Sequence, residues 1–374
     1  MTRIAKSQTG FSFPELLAAV AISSMIGLLL ATSYSDIVSR FLSLRNKSEL
    51  IQDGIVVSDA VAREIMNVEG GIQPFANLLK IENSCAEAPP LPACLPGPAG
   101  SSLRSDRLVT FEFNAELAEC QVVSQVNAGS NDPILSFRVG SVCCLTPEMN
   151  NQHFILSSAP YYRFGYANID MNTCRMTLEY TRYSRLGGAN RFDRSTIAGV
   201  TKTDWGGANL SFVTPYEYYL DESGAADGNR ELKRFSDRNN DNAISTSIEP
   251  GTRELDILSD GIFDFQAAFG YDLYNQAGAL NTSDGIAENQ ESASDEWLYN
   301  NVGDSLLAAP YNTIDETKLR VLGIGFIFSR KRMGPDQTVS VKVFDGPTWQ
   351  EDTGTMKNKI FLNETFYMPI RDSH

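Results

Sequence analysis

Histidine is nearly missing from this chain: only His153 and His374 occur in 374 residues. General acid–base and metal chemistry near neutral pH lean on histidine, and no HExxH, Gly-x-Ser-x-Gly or phosphate-binding loop accompanies the two. No Cys-x-x-Cys pair or Cys/His array suggests zinc or redox catalysis, and no internal repeat is evident. Basic residues are also short, 31 against 46 acidic, for a formal net charge of −15. A field of that sign repels nucleic acid. The densest basic run, Arg330-Lys331-Arg332, reads as a solvated strand end. The scattered acids read as a solvated face. The sequence is therefore read as a non-enzymatic chain with no nucleic-acid partner.

What the chain does have is one long apolar run, at its start. Phe11 to Thr32 would make about 33 Å of helix at 1.5 Å per residue, enough to cross a bilayer core. Ser23, Ser24 and Gly27 inside it suit helix packing in a membrane. Arg3 and Lys6 precede it and orient the leader to the cytoplasm, with the rest of the chain outside. Glu15 stands alone near the start of the run, and an acid at that depth is costly enough to point to function.

Beyond the run, residues 36–70 keep a helical period. Ile37, Phe41, Leu44, Ile51, Ile55, Val61, Ile65 and Val68 form an apolar stripe opposite Arg45, Lys47, Glu49, Asp53, Asp59 and Arg63. The stripe is expected to pack on a headpiece, giving one helix of about 55 residues that ends at Gly70-Gly71 and Pro74. The apolar fraction of 42% is sufficient for a packed core in residues 71–374. That part reads as β-rich, with strands over 108–113, 134–139, 174–183, 212–220, 258–271 and 319–330. Acidic, turn-rich loops occupy 221–250 and 275–317. The fold class is α+β.

Two further sets of residues invite a site assignment. Asp237, Asn239, Asp241, the Ala243 carbonyl and Ser245 alternate as oxygen ligands in an EF-hand-like loop, with Glu249 as the closing acid. Asn242 takes the usual glycine position, Glu249 falls one residue late, and the rival reading is a solvated acidic turn. Calcium is the one cofactor the chain suggests, and none is required. The six cysteines lie outside the apolar run, where an oxidising compartment permits disulfides. Cys85 and Cys94 bracket a proline-rich loop and suit a local bridge. Cys120 and Cys174 would pair with Cys143 and Cys144, in an order that spacing leaves open among 15 connectivities.

The junction Thr9-Gly10-Phe11-Ser12-Phe13-Pro14-Glu15 followed by the apolar run resembles the class III signal of type IV prepilins. That resemblance implies a leader of residues 1–10, cut between Gly10 and Phe11 by a prepilin peptidase that also methylates Phe11. It implies a transmembrane and filament-core helix over 11–35. Glu15 would neutralise the Phe11 amine of a neighbouring subunit during assembly. The family more often has Thr-Leu where Ser12-Phe13 stand. The segments Glu254–Asp272, Trp297, Leu319–Phe326 and Ile360–Asp372 resemble the strands of PilW-type minor pilins, and residues 80–250 match no named pattern.

The expectation is a type IV pilin fold and a minor pilin that primes pilus assembly and sits near the tip. Other minor and major pilins, the inner-membrane assembly platform and a tip adhesin would be its partners. It would lie in the inner membrane with a periplasmic head, then in the extracellular pilus. The alternatives are a J-like minor pseudopilin of type II secretion and an adhesive tip pilin.

Overall fold

The computed structural model describes residues 12–67, 80–82, 105–179 (without 115, 118, 127–133 and 159–160), 195–221 (without 198–199), 230–236, 255–271, 297–298, 319–331, 337–345, 348–356 and 359–369. It begins with one helix, α1 (Phe13–Asn67), of 55 residues. No proline interrupts α1 after Pro14, whose missing N–H falls in the first turn, where no intrahelical partner is needed.

Strands make up most of the other described residues. In chain order they are β1 (Lys80–Glu82), β2 (Arg107–Phe113), β3 (Cys120–Gln121), β4 (Ser124–Val126) and β5 (Ile134–Ser136). Next come β6 (Arg138–Val139), β7 (Val142–Cys143), β8 (His153–Ser158), β9 (Tyr161–Asp170) and β10 (Arg175–Glu179). The third group is β11 (Thr196–Ile197), β12 (Val200–Thr201), β13 (Asn209–Asp221), β14 (Arg230–Ser236) and β15 (Leu255–Tyr271). The last are β16 (Trp297–Leu298), β17 (Leu319–Lys331), β18 (Gln337–Asp345), β19 (Thr348–Met356) and β20 (Lys359–Pro369).

A 14-stranded sheet has a main path in the order β20-β17-β15-β14-β13-β8-β9-β10-β5-β4, with β1, β2, β3 and β16 paired off it, and the path is antiparallel at each step. Its pivot is β13, which changes partners halfway. On one edge Asn209–Phe212 pair with β8 and Tyr216–Asp221 with β14. On the other edge Asn209–Leu210 pair with β3 and Val213–Tyr218 with β2. Pro215 has no N–H to give, and it falls in the gap between the β8 and β14 ladders.

The sheet thereby divides into two lobes. The first holds β2, β14, β15, β17 and β20 with α1 laid across it. Its core gathers Leu50, Val57 and Val61 of α1 against Leu108, Tyr218, Leu232, Phe265, Leu322, Ile324 and Phe326. The second lobe, 114–212, is inserted between the paired strands β2 and β13. Its ends meet where the Asn114 N–H donates to the Phe212 carbonyl at 2.9 Å. It has its own core around Leu135, Phe137, Phe154, Leu156, Met176 and Trp205. Phe111 of β2 and Phe164 of β9, with ring centroids 5.0 Å apart, join the two.

The helix and most expected strands are where the periodicity puts them. The expected strand 134–139 is broken at Phe137, whose buried side chain separates β5 from the small β6–β7 hairpin. In β17, Leu322, Ile324, Phe326 and Phe328 share the core under α1, as their alternation predicts.

Candidate functional site: the N-terminal helix

The start of α1 carries the glutamate half of a capping box. Ser12 precedes the first helical residue and Glu15 stands at the third position. Glu15 Oε2 accepts from the Ser12 N–H and from the Ser12 Oγ, both at 2.8 Å. The Leu16 N–H donates to the Ser12 carbonyl at 3.2 Å. Ser-x-x-Glu at a helix start is legible in sequence as a cap, a role separate from the assembly role that the prepilin resemblance implies for the acid. Gly10 and Phe11, the expected cleavage site, lie outside the described residues.

From Ser12 to Val38 every residue is exposed, including Leu16, Leu17, Val20, Met25, Leu28, Leu29 and Leu30 at more than half of their surface. By length and composition this helix is apolar enough to cross a membrane. Two of its hydroxyls are satisfied within it: Ser24 Oγ donates to the Val20 carbonyl at 2.7 Å and Thr32 Oγ1 to the Leu29 carbonyl at 2.9 Å. A polar group in lipid requires such internal pairing.

The second half of α1 corrects the expected stripe. The head is met by Leu50, Gly54, Val57 and Val61, at steps of four, three and four. Ile37, Phe41, Leu44 and Ile55 point away from it and are 61–67% exposed. At 100° per residue the two sets lie on roughly opposite sides of the helix. Of the expected stripe, Val61 is buried against the sheet, whereas Ile65 and Val68 lie outside the residues whose side chains are described. The charged residues form i,i+4 pairs between these faces, Asp36 with Arg40, Arg45 with Glu49 and Asp59 with Arg63. The half-helix thus has two apolar faces where periodicity suggested one.

The other expected sites are dispersed. Cys120 bonds to Cys144 and Cys143 to Cys174, inside the inserted lobe and far along the chain from α1. Cys85 and Cys94 lie outside the described residues, as do Asp237, Asn239, Asp241, Ala243, Ser245 and Glu249 of the calcium loop. Among the described residues no three His, Cys, Asp or Glu side chains gather as a metal set. His153 opens β8, buried, stacked on Phe164 at 5.6 Å and edge-on to Tyr166 at 5.4 Å. Arg330 and Lys331 close β17 opposite Ile360 and Lys359.

One constellation has no sequence signal at all. Asp264 of β15, fully buried, accepts from Ser105 Oγ at 2.7 Å and Gln266 Nε2 at 3.0 Å, while Arg230 donates to Ser105 Oγ at 3.0 Å. Burial pushes the Asp264 carboxyl above the usual carboxylate range, against the pull of the Ser105 and Gln266 hydrogen bonds and the Arg230 charge. Beside it Asp106 takes the Ala267 N–H at 2.8 Å and gives its own N–H to the Phe265 carbonyl at 2.8 Å. A register shift in β15 between Ile262 and Asp264 lets Ile262, Phe265 and Ala267 share the core under α1. These residues pin the strand leading into β2 to β15, a structural task with a high cost if one partner is removed.

No protein-family model, no curated protein and no solved structure matches this chain.

Proposed function

We propose that this chain is a minor pilin of a type IV pilus, PilW-like, which enters the filament through α1 and displays its head near the tip. The observation that carries the reading is the second apolar face of α1. Ile37, Phe41, Leu44 and Ile55 continue the exposed apolar span of residues 13–35 on the side away from the head. Exposed apolar helix of that length is costly in water. The span is suited to lipid before assembly, and the face beyond it to the helices of other subunits afterwards. Glu15, at the head of the span, would exchange its Ser12 partners for the terminal amine of a neighbour.

Size favours the pilus over the secretion alternative. A head of about 300 residues packs poorly along a dense filament and suits a scarce subunit. The adhesive-tip alternative rests on the length of the acidic loops alone. The decisive measurement is incorporation of the chain into sheared surface filaments, at matched membrane levels. Phe41→Asp combined with Leu44→Asp should leave the membrane level unchanged and remove the chain from the filament fraction. Incorporation equal to the parent sinks the proposal.

A further inference from the structure

Cys143 and Cys144 are neighbours in sequence, yet each belongs to a different bridge, and the two bridges interleave: 120 with 144, 143 with 174. Exchanging the two partners gives the pairing 120 with 143 and 144 with 174, which closes loops one residue shorter. Loop-closure entropy grows only with the logarithm of length, so the unfolded chain does not distinguish the two pairings. Chain order does not distinguish them either, because Cys143 and Cys144 emerge one after the other far faster than a bridge forms.

The finished fold, by contrast, has a strict preference. Cys143 sits opposite Arg138 in the β6–β7 hairpin, whose turn places Gly140 at φ +62°. Arg138 donates to the Asn172 carbonyl at 3.0 Å, and the Phe137 N–H to the Cys174 carbonyl at 3.1 Å. Cys174 itself holds a positive φ of 54°, at the end of a turn in which Asp170 accepts from the Asn172 N–H and Thr173 Oγ1. Putting Cys144 in the place of Cys143 slips the hairpin by one residue, which turns each of its side chains to the other face. The native pairing is selected by folding, after the first bridges form.

We infer that this chain reaches its native pairing by thiol–disulfide exchange, as a substrate of a dithiol exchange protein that attacks at the adjacent pair Cys143 and Cys144. In the finished lobe Cys120 and Cys174 are buried while Cys143 and Cys144 are half-buried, so the adjacent pair is the accessible end of both bridges. The exchange is balanced. A catalyst thiolate attacks Sγ of Cys143 in the 120–143 bridge, forms a mixed disulfide and expels the Cys120 thiolate. That thiolate attacks Sγ of Cys144 and expels the Cys174 thiolate. The Cys174 thiolate then attacks Sγ of Cys143 and releases the catalyst. No electrons are gained or lost, and two native bridges replace two wrong ones. The need for such a partner in the cell rests on export of the head to an oxidising compartment, but the pairing preference does not.

The test uses the full chain in detergent, with Cys85→Ser and Cys94→Ser so that four cysteines remain. Reduced chain is refolded with a thiol-free oxidant, and its species are separated without reduction. Four cysteines allow three connectivities, so the native species should hold no more than about half of the material. Adding a reduced dithiol exchange protein or glutathione should raise it to most of the material, about twofold. Full native pairing with oxidant alone overturns the inference. A further Cys143→Ser plus Cys174→Ser variant keeps only Cys120 and Cys144 and should give one oxidised species without any thiol. Persistent heterogeneity there would trace the mixture to something other than pairing and would equally overturn it. Failure of filament incorporation leaves these outcomes unaffected, so the two proposals fail separately.

Discussion

Glu15 Oε2 accepts both the N–H and the Oγ of Ser12, each at 2.8 Å, so the acid at the head of α1 is already engaged within its own chain. The two roles, helix cap and assembly partner, can be separated. Ser12→Ala removes the hydroxyl that donates to Glu15 and should destabilise the first turn by about 0.5–1.5 kcal/mol. The expected readout is faster amide exchange at Leu16 with filament incorporation retained. Glu15→Ala should insert in the membrane equally well yet assemble poorly. Wild-type incorporation of Glu15→Ala would remove the proposed pairing with a neighbour's amine.

Processing is tested at Gly10. Replacement by a bulky residue is expected to leave the leader attached, so the mass of the membrane-extracted chain should exceed that of the processed parent by ten residues. An identical mature mass for parent and variant contradicts a prepilin junction.

The two faces of α1 should respond oppositely to truncation. Leu50 is buried under the sheet, and Leu50→Ala should cost the head about 2–5 kcal/mol as a cavity opens. Phe41 is exposed, and Phe41→Ala should change head stability by less than about 0.5 kcal/mol while lowering filament incorporation. Denaturant unfolding and the sheared-filament assay together check the pair.

Asp264 gives the head a definite pH dependence. Its carboxyl titrates above the ordinary aspartate value of 3.8 because burial disfavours the charge. The folded state then binds its proton more tightly than the unfolded chain. The stability it contributes is complete below that ordinary value and is lost as pH rises through the raised one. Subtracting the unfolding curve of Asp264→Asn from that of the parent should therefore leave a term that falls with rising pH. A term that rises with pH would contradict the burial argument.

Calcium titrated into the chain should give measurable heat if the 237–249 loop ligates it, and Asp237→Ala plus Asp241→Ala should abolish that heat. No heat in the parent ends the calcium assignment.

Periodicity and composition by themselves determined a single helix of about 55 residues, apolar enough at its start to span a membrane, and a β-rich head. Such signals are local: a run of apolar residues, or their alternation, fixes an element whatever surrounds it. Ser-x-x-Glu was legible by the same rule. The sequence left open which helix face meets the head, because Leu50-Gly54-Val57-Val61 and Ile37-Phe41-Leu44-Ile55 are both apolar and only the sheet's position chooses. It left open which of Cys143 and Cys144 joins Cys174, because the alternative loops differ by one residue. It carried no sign of the Ser105–Asp264–Arg230 cluster, whose hydrogen bonds span 159 and 125 positions. Tertiary structure decided these three, since each depends on residues far apart in sequence that come together only once the strands of the sheet have paired.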